Sequence, residues 1–451
     1  MAERHSVAGA SPEVGHSRSM PPAFAVPAYR WYWASQLVSG IGTWAQTIAQ
    51  AWLVLQLTDN SAVALGTITT LQFLPMLVFP LLGGVIADRL PRRKLLIATQ
   101  LVALLQAVAL GLLVLSGHVQ YWEVGALALV LGLTNAFGNP AQQSLVPEIV
   151  GRGLVGNAVA LNSIQFNVAR LLGGAVGGVL VAFFGVGPTL LLNAASYLPA
   201  IAVLVTIRPA HARPPRAREG AESAEGSSRI TAEIGAGLRY ALGTRSIRRI
   251  LALFGVVGLL GFNWSVATPL LTVALGAGPT GLGALQAAFG VGSLAAGIAL
   301  MRSRGATERR FLIGGFGLGA VLIALGLSPW YTASIGLMLL GGLTGVTASV
   351  SANTRLQLLA TDAYRGRVMS LFTLLMGGTT PIGALLLGGI AEVAGIQVGI
   401  LAFGSAVILG LLLILALDRA PAALPAGGPD VASTPITEAR PARGQSGAGN
   451  R

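Results

Sequence analysis

The chain contains no cysteine and few charged residues of either sign. Without thiols, disulfides and thiolate metal sites are excluded, and the four histidines lack the spacing of metal ligands. Only 10% of the 451 residues are charged, whereas 53% are hydrophobic. A soluble protein of this length needs more polar surface than that. The composition therefore predicts a multi-pass membrane protein with no cofactor and no metal.

Acidic residues are scarcer than basic ones, with 16 Asp and Glu against 29 Lys and Arg and a formal net charge of +13. In a soluble protein this excess would suggest nucleic acid. Here the basic residues lie in the tails and in every second gap between apolar blocks, where they set membrane orientation and contact anionic lipid headgroups. We therefore expect membrane lipids as partners and no nucleic acid. Arg170 is the exception, because it lies inside an apolar block.

A helix needs roughly 20 apolar residues to cross a bilayer, because its backbone groups must be satisfied internally. The sequence predicts twelve such spans, at residues 31–57, 64–87, 94–116, 121–140, 155–184, 187–207, 248–275, 281–301, 310–328, 330–353, 367–394 and 397–417. The basic gaps alternate with gaps that hold no Lys or Arg, so the positive-inside rule predicts that both termini are cytoplasmic. The expected fold is an all-α membrane protein.

The spans divide into two sets of six. The predicted organisation is a cytoplasmic tail (1–30), a six-helix bundle (31–207), a cytoplasmic linker with an amphipathic helix (208–246), a second six-helix bundle (247–417) and a disordered cytoplasmic tail (418–451). A short stretch after span 4 is repeated at a constant offset after span 10. Parallel six-helix repeats are typical of transporters.

The gap between spans 2 and 3 carries the most specific motif of the chain, with Gly84, Asp88, Arg89, Arg92 and Arg93 in register. It resembles the loop motif of the major facilitator superfamily. Gly84 allows a neighbouring helix to approach closely. Asp88, one turn later, can pair with the basic loop or face the N-terminus of another helix.

The resemblance implies a major facilitator fold of two six-helix bundles, in which this cluster latches the cytoplasmic ends of spans 2 and 11 when the transporter faces outward. The implied partner is the start of span 11, at residues 365–370. Alternatively, the arginines only fix topology, which leaves Asp88 unexplained.

Five further pieces resemble the bacterial exporter group of this superfamily that includes the enterobactin exporter. They lie at residues 32–37, 49–54, 139–143, 162–172 and 365–370. The resemblance implies a secondary active transporter that exports a small drug-like or siderophore-like molecule by alternating access, as a proton antiporter in the bacterial cytoplasmic membrane. We expect a monomer. Import of a small anion or nutrient, and a non-transporting membrane scaffold or sensor, are the alternatives. No constellation of side chains supports catalysis, so an enzyme is not expected.

Span 5 carries a glycine motif that resembles the antiporter motif of the superfamily, formed by Gly173, Gly174, Gly177 and Gly178. Gly174 stands where the family has proline, which weakens the inference of export. A glycine pair still bends and thins a helix. Alternatively, these glycines serve close helix packing alone.

Arg170 is predicted to lie near the middle of the bilayer, where a charge must face the bundle interior or water. Polar residues on neighbouring spans share its depth or its helix face, and together they predict a polar, partly aromatic cavity with one fixed cation. The candidates are Gln36, Thr43, Gln46, Gln50, Asn135, Asn139, Ser163, Asn167, Arg170, Asn263 and Trp264. Alternatively, Arg170 bonds helix ends or carbonyls and holds the first half together.

Proton coupling rests on the resemblance alone, because no Asp or Glu falls in the middle of a predicted span. Asp59 and Glu392 are the candidates for carrying the proton, although a solvated charge at the end of a loop is the favoured interpretation of each.

Overall fold

The computed structural model describes residues 21–79, 91–207, 235–302, 307–361 and 363–419, and these residues are almost entirely helical. After a 3₁₀ turn at Pro22–Ala25, the helices are α1 (Pro27–Leu57), α2 (Ala62–Val78), α3 (Arg92–Leu115), α4 (Tyr121–Val150), α5 (Val155–Phe184), α6 (Val186–Thr206), α7 (235–243), α8 (Arg245–Gly261), α9 (Trp264–Ala274), α10 (Pro279–Arg302), α11 (Glu308–Leu327), α12 (Tyr331–Leu359), α13 (Arg365–Thr373), α14 (Thr380–Ala394) and α15 (Ile396–Arg419). Each predicted span coincides with one or two of these helices.

Within the described residues, ten helical segments are long and apolar enough to cross a membrane. The helix α1 has the length but carries a stripe of Gln, Ser and Thr, and the described part of α2 has 17 residues. The structure therefore agrees with a multi-pass membrane protein, while the count of twelve spans and the side on which the termini lie stay predictions.

Helix α4 is longer than predicted because it continues past Pro140 and Pro147 to Val150. Proline removes a backbone donor and crowds the preceding turn. Here the last turns bury Leu145 and Ile149 in an apolar cluster at the start of α1 and α5. This burial outweighs the local preference to end the helix.

Two predicted spans are broken helices. Span 7 consists of α8 and α9, which are separated at Phe262 and Asn263; the side-chain amide of Asn263 donates to the carbonyl of Leu259 at 2.7 Å. Span 11 consists of α13, a π-helical turn at Leu374–Gly378, and α14, which has Pro381 in its first turn. Proline is favoured there because that N–H has no helical partner.

The bundle has two chemically different ends. The end that holds Arg92, Arg152 and Arg245 is called the basic end, and the opposite end, which holds Asp59 and Glu123, is called the far end. Ion pairs at the basic end link helices of the same half: Arg92 pairs with Glu148, and Arg249 pairs with both Glu308 (2.8 Å) and Asp418 (2.9 Å). Each half is therefore fastened internally at this end.

The linker helix α7 covers the part of the predicted amphipathic helix that the structure describes. Gly237 and Ala241 are buried, whereas Leu238 and Leu242 are exposed. The ring of Tyr240 stacks on Tyr364 with 4.3 Å between the ring centres. The helix thus docks on the loop between α12 and α13 and leaves its leucines uncovered, as expected for a helix on a lipid surface.

The two halves meet through two pairs of helices, α5 with α10 and α2 with α14. The contact of α5 with α10 lies toward the far end, whereas the contact of α2 with span 11 runs from Ala62 at the far end to Leu77, near the end of the described part of α2. The pairing of α5 with α10 runs from Leu171 and Gly290 to Gly178 and Pro279. Toward the basic end, Gly297 of α10 has no neighbour within 4 Å of the position of an added Cβ.

Candidate translocation site between the two halves

Arg170 lies near the middle of α5, about 22 Å along the helix from Val155. Its guanidinium carbon is 4.2 Å from the ring centre of Phe289 on α10 and 5.3 Å from that of Trp44 on α1. The side chain is partly buried. The cation therefore occupies the boundary between the halves, between one aromatic ring from each.

The rings around Arg170 continue on both sides. Trp44 meets Phe166 edge-on at 5.8 Å, and Phe289 meets Trp264 at 5.0 Å between ring centres. The order from first half to second is Phe166, Trp44, Arg170, Phe289 and Trp264, and we call these five side chains the aromatic ladder. The ladder joins α1, α5, α9 and α10.

The aromatic rings stabilise the charge of Arg170 but do not use its donors. A charge at the bilayer centre costs about 2.5–3.5 kcal/mol on insertion scales, and a cation–π contact returns about 0.5–2 kcal/mol. Among the residues that the structure describes, no hydrogen bond or ion pair reaches Arg170, and its Nε is buried without a partner. The carbonyl bonds that a purely structural role would use are not found there.

The polar stripe of α1 is largely engaged within the first half. Gln46 donates to Gln106 at 3.0 Å and accepts from the amide of Asn193, and Gln50 donates to Gln72 at 3.2 Å. Gln46 is 1% exposed and Gln50 4% exposed. These two candidates are therefore hydrogen-bonded to α2, α3 and α6.

The other two members of the stripe differ from each other. The Thr43 hydroxyl is 3.1 Å from the hydroxyl of Tyr197 on α6. Gln36 is 7% exposed, and its Nε2 is buried without a partner. Of the four candidates on α1, Gln36 is thus the one whose amide donor has no partner among the described residues.

The candidates on α4 and α5 lie toward the basic end. Asn139 and Ser163 are exposed, and Asn135 and Asn167 are partly buried. Asn167 donates to the carbonyl of Ser163 at 2.8 Å, one turn back on the same helix. Ser163 and Asn167 precede Arg170 on one face of α5, so they line the approach to it from the basic end.

Asn263 and Trp264 lie at the break between α8 and α9. Asn263 packs against Gly383 of α14, where an added Cβ would lie 2.4 Å from Oδ1. Oδ1 of Asn263 and Nε1 of Trp264 are both buried without a partner. Trp264 joins the aromatic ladder, whereas Asn263 faces the packing of α8 and α14.

The glycine motif of α5 divides between two helices. An added Cβ on Gly173 would lie 2.5 Å from the carbonyl oxygen of Ile41, and one on Gly177 would lie 2.7 Å from Cα of Ala45, both on α1. Gly174 and Gly178 face α10 instead, with Gly178 2.6 Å from the carbonyl oxygen of Pro279 by the same measure. One glycine pair therefore packs α5 within its half, and the other brings the halves together.

Glu392, near the end of α14, caps the start of α2 in the other half. Its carboxylate accepts from the backbone N–H of Ala62 at 2.6 Å, the N–H of Val63 at 3.1 Å and the hydroxyl of Ser61 at 3.1 Å. A negative charge at a helix N-terminus is stabilised by the helix dipole. We call Glu392 with residues 61–63 the far-end latch. Asp59 lies nearby in the turn, exposed and with a positive φ of 48°.

The loop motif is only partly within the described residues. Gly84, Asp88 and Arg89 lie outside them. Arg92 pairs with Glu148 at the end of α4, and Arg93 donates to the carbonyls of Leu204 and Val205 at the end of α6. These two arginines therefore fasten α3 to its own half.

Comparison with known proteins agrees with this architecture. Residues 19–427 match the model of a family described as transmembrane secretion effectors. The chain belongs to this family of the major facilitator superfamily. It is accordingly a transporter of the major facilitator type and not an enzyme, and its apolar helices make it a multi-pass membrane protein.

Three individual proteins illustrate the similarity. The chain is 27% identical to the multidrug efflux pump Tap of Mycolicibacterium fortuitum over 359 residues, 77% of this chain and 85% of the pump. It is 27% identical to the enterobactin exporter EntS of Citrobacter koseri over 422 residues, 89% and 96% of the two chains. An inward-facing bacterial homologue of the lysosomal transporter Spinster superposes with a TM-score of 0.66 at 14% identity, covering 89% of this chain and 98% of that chain.

Two features of the site are not predicted from the sequence. The first is the pair of aromatic residues around Arg170. The signals for them are weak: Trp44 lies on a helix rich in polar residues, and Phe289 precedes Gly290, which packs on Leu171 of α5. The second is the contact of Glu392 with α2, because the sequence indicates its carboxylate alone. Phe289 and the partner of Glu392 come from the other half, and Trp44 comes from another helix of the same half, so no local spacing could indicate these contacts.

Proposed function

We propose that the chain is a secondary active transporter that exports a small drug-like or siderophore-like molecule across the bacterial cytoplasmic membrane by alternating access. The observation that carries the proposal is the asymmetry of the contact between the halves. At the far end, Gly178 approaches Pro279 and Gly66 approaches Ala384 of α14 so closely that a methyl group would not fit. Toward the basic end, Ser163 of α5 is exposed, and Gly297 of α10 has no neighbour within 4 Å of an added Cβ.

We infer from the packing of α5 against α10 that the present conformation is open toward the basic end. If the basic end faces the cytoplasm, as the positive-inside rule predicts, substrate enters the cavity from the cytoplasm and meets Arg170 below the closed contact. The two halves then rock, which opens the far end and closes the basic end. The motif around Asp88 would hold the basic end closed in that second state.

We infer that export is coupled to the proton gradient. The similarity to efflux proteins supports export, and antiport with protons is the common energy source implied by the resemblance. Asp59 and Glu392 remain candidates for the coupling carboxylate, and the far-end latch favours Glu392, because protonation would weaken a contact between the halves. A monomer suffices for this mechanism, since both halves lie in one chain.

Accumulation assays test the proposal directly. Cells that produce the protein are expected to accumulate less of a panel of drugs and siderophores than cells without it, and the difference should disappear when the proton gradient is collapsed. A difference that survives collapse excludes proton coupling. No difference for any compound excludes export of these classes.

Import of a small anion or nutrient is a second candidate, favoured by Gly174 in place of the family's proline. Inverted membrane vesicles separate the two directions, because an exporter loads them and an importer empties them.

A further inference from the structure

The aromatic ladder holds a cation whose hydrogen-bond donors are unused. A guanidinium has five N–H donors in one plane. The rings of Trp44 and Phe289 interact with its charge and cannot accept those N–H bonds as carboxylate oxygens do. Within the described part of the chain, no acceptor is bonded to Arg170 and its Nε is buried. The described residues therefore give the guanidinium two aromatic contacts but no hydrogen-bond acceptor.

The described part of the chain supplies no acid at this depth. The described carboxylates nearest to α5 in sequence, Glu148 and Glu123, lie at the ends of α4, where Glu148 pairs with Arg92 and Glu123 caps its own helix. Glu392 is held at the far end by α2. Among the described residues no acceptor reaches Arg170, so its donors are available to water or to a bound molecule.

The position of Arg170 suits a transported molecule. One turn beyond it, Gly174 packs on Gln286 of α10 and the halves close. One turn before it, Phe166 is 56% exposed, and two turns before it Ser163 is exposed as well. A molecule that enters from the basic end thus reaches Arg170 at the floor of the opening.

We propose that Arg170, held between Trp44 and Phe289, binds an acidic group of the transported substrate, and that the substrate is an aromatic anion such as a carboxylate or phenolate. This inference rests on the transport function proposed above. The guanidinium binds a carboxylate with two parallel hydrogen bonds, and the ring of the substrate stacks on the aromatic ladder. A neutral analogue of the same shape loses the paired bonds and leaves Arg170 unsatisfied.

Binding of 2-naphthoate and its neutral amide, 2-naphthamide, to the purified full chain in lipid nanodiscs tests the proposal. The two probes have nearly the same shape and differ in charge. The wild type is expected to bind the naphthoate about tenfold more tightly than the amide, beyond the signal of empty nanodiscs. Arg170→Gln should bind both probes equally, and Arg170→Lys should retain part of the preference.

Arg152→Gln, which removes an exposed loop arginine, is the matched control and should behave as the wild type. If Arg170→Gln does not fold, Phe289→Leu keeps the cation and should weaken the binding of both probes. A wild type that does not discriminate, or a folded Arg170→Gln that keeps the preference, overturns the proposal.

Failure of this site and failure of export are distinguishable. If the wild type prefers the naphthoate but cells show no difference in accumulation of any compound, the anion site stands and export is wrong. If accumulation falls as expected and Arg170→Gln exports as well as the wild type, export stands and the anion site is wrong.

Discussion

Gln46 illustrates a polar residue that an apolar helix uses for packing. Its amide bonds Gln106 of α3 and Asn193 of α6, and the side chain is nearly inaccessible. Each hydrogen bond between membrane helices contributes a modest free energy. When one of its partners is removed, the other remains unsatisfied because no water can reach it. The role of Gln46 in this arrangement is to fix the first half.

Gln46→Leu is expected to lower the free energy of unfolding by about 1–2 kcal/mol, because Gln106 and Asn193 lose their shared partner. Gln36→Leu is the control on the same helix, since it removes a buried amide whose Nε2 has no partner, and it should leave stability unchanged or raise it. Thermal unfolding of the purified variants measures both. Equal stability losses would contradict the distinction.

Some properties of these residues can be predicted from the sequence, and others cannot. The depth of Arg170 follows from counting along span 5, and the structure places it near the middle of α5 as expected. Phe289, which it contacts, lies 119 residues further along the chain, so this contact depends on how the two halves pack. Likewise, the polarity of Gln46 and Gln36 is visible in the sequence, but which amide is satisfied depends on Gln106 and Asn193.

At the scale of helices, the glycine motif of α5 is a two-sided contact. Spacing predicts close packing, and the structure adds that Gly174 and Gly178 face the other half. Which helix each glycine contacts depends on the rotation of α5 about its axis, and the spacing of four glycines within residues 173–178 does not specify that rotation. The interruption of span 11 before Pro381 is a second example. Proline predicts an interruption of the helix, but it does not predict that α8 packs against the interrupted segment.

Gly178→Ala is expected to hinder closure of the far end, because its Cβ would lie 2.6 Å from a backbone oxygen that cannot move aside easily. The chain has no cysteine, so Thr70→Cys, at the contact of α2 with α14, serves as the reporter. Its labelling by maleimide should be severalfold faster when Gly178→Ala is added. Gly297→Ala on α10 meets nothing within 4 Å and should leave the rate unchanged; an equal effect of the two would refute a specific contact.

The far-end latch predicts a charge effect on the same reporter. Glu392→Gln keeps an acceptor for Ala62 but loses the charge at the start of α2, which is worth about 0.3–1 kcal/mol. Labelling of Thr70→Cys should therefore rise about two- to fivefold. Glu123→Gln is the matched control, because Glu123 accepts from Gln120 at 2.8 Å at a helix start within one half. Faster labelling in the control but not in Glu392→Gln would exclude the latch.

At the scale of the whole molecule, the arginine pattern and the packing asymmetry are independent observations that concern the same axis. The arginines lie at the basic end, and the contact of Gly178 with Pro279 and the far-end latch lie at the other. Under the transport function proposed above, the present conformation opens toward whichever side of the membrane the basic end faces.

The side of each end can be measured in intact cells. His118 lies in an exposed turn at the far end and Arg152 in an exposed turn at the basic end, and the absence of native cysteine makes each introduced thiol unique. The positive-inside rule predicts that a membrane-impermeant maleimide labels His118→Cys in intact cells and labels Arg152→Cys only after the membrane is opened. The reverse result would place the basic end outside the cell and make the present conformation outward-open, so entry of substrate from the cytoplasm into this conformation, as proposed above, would be wrong.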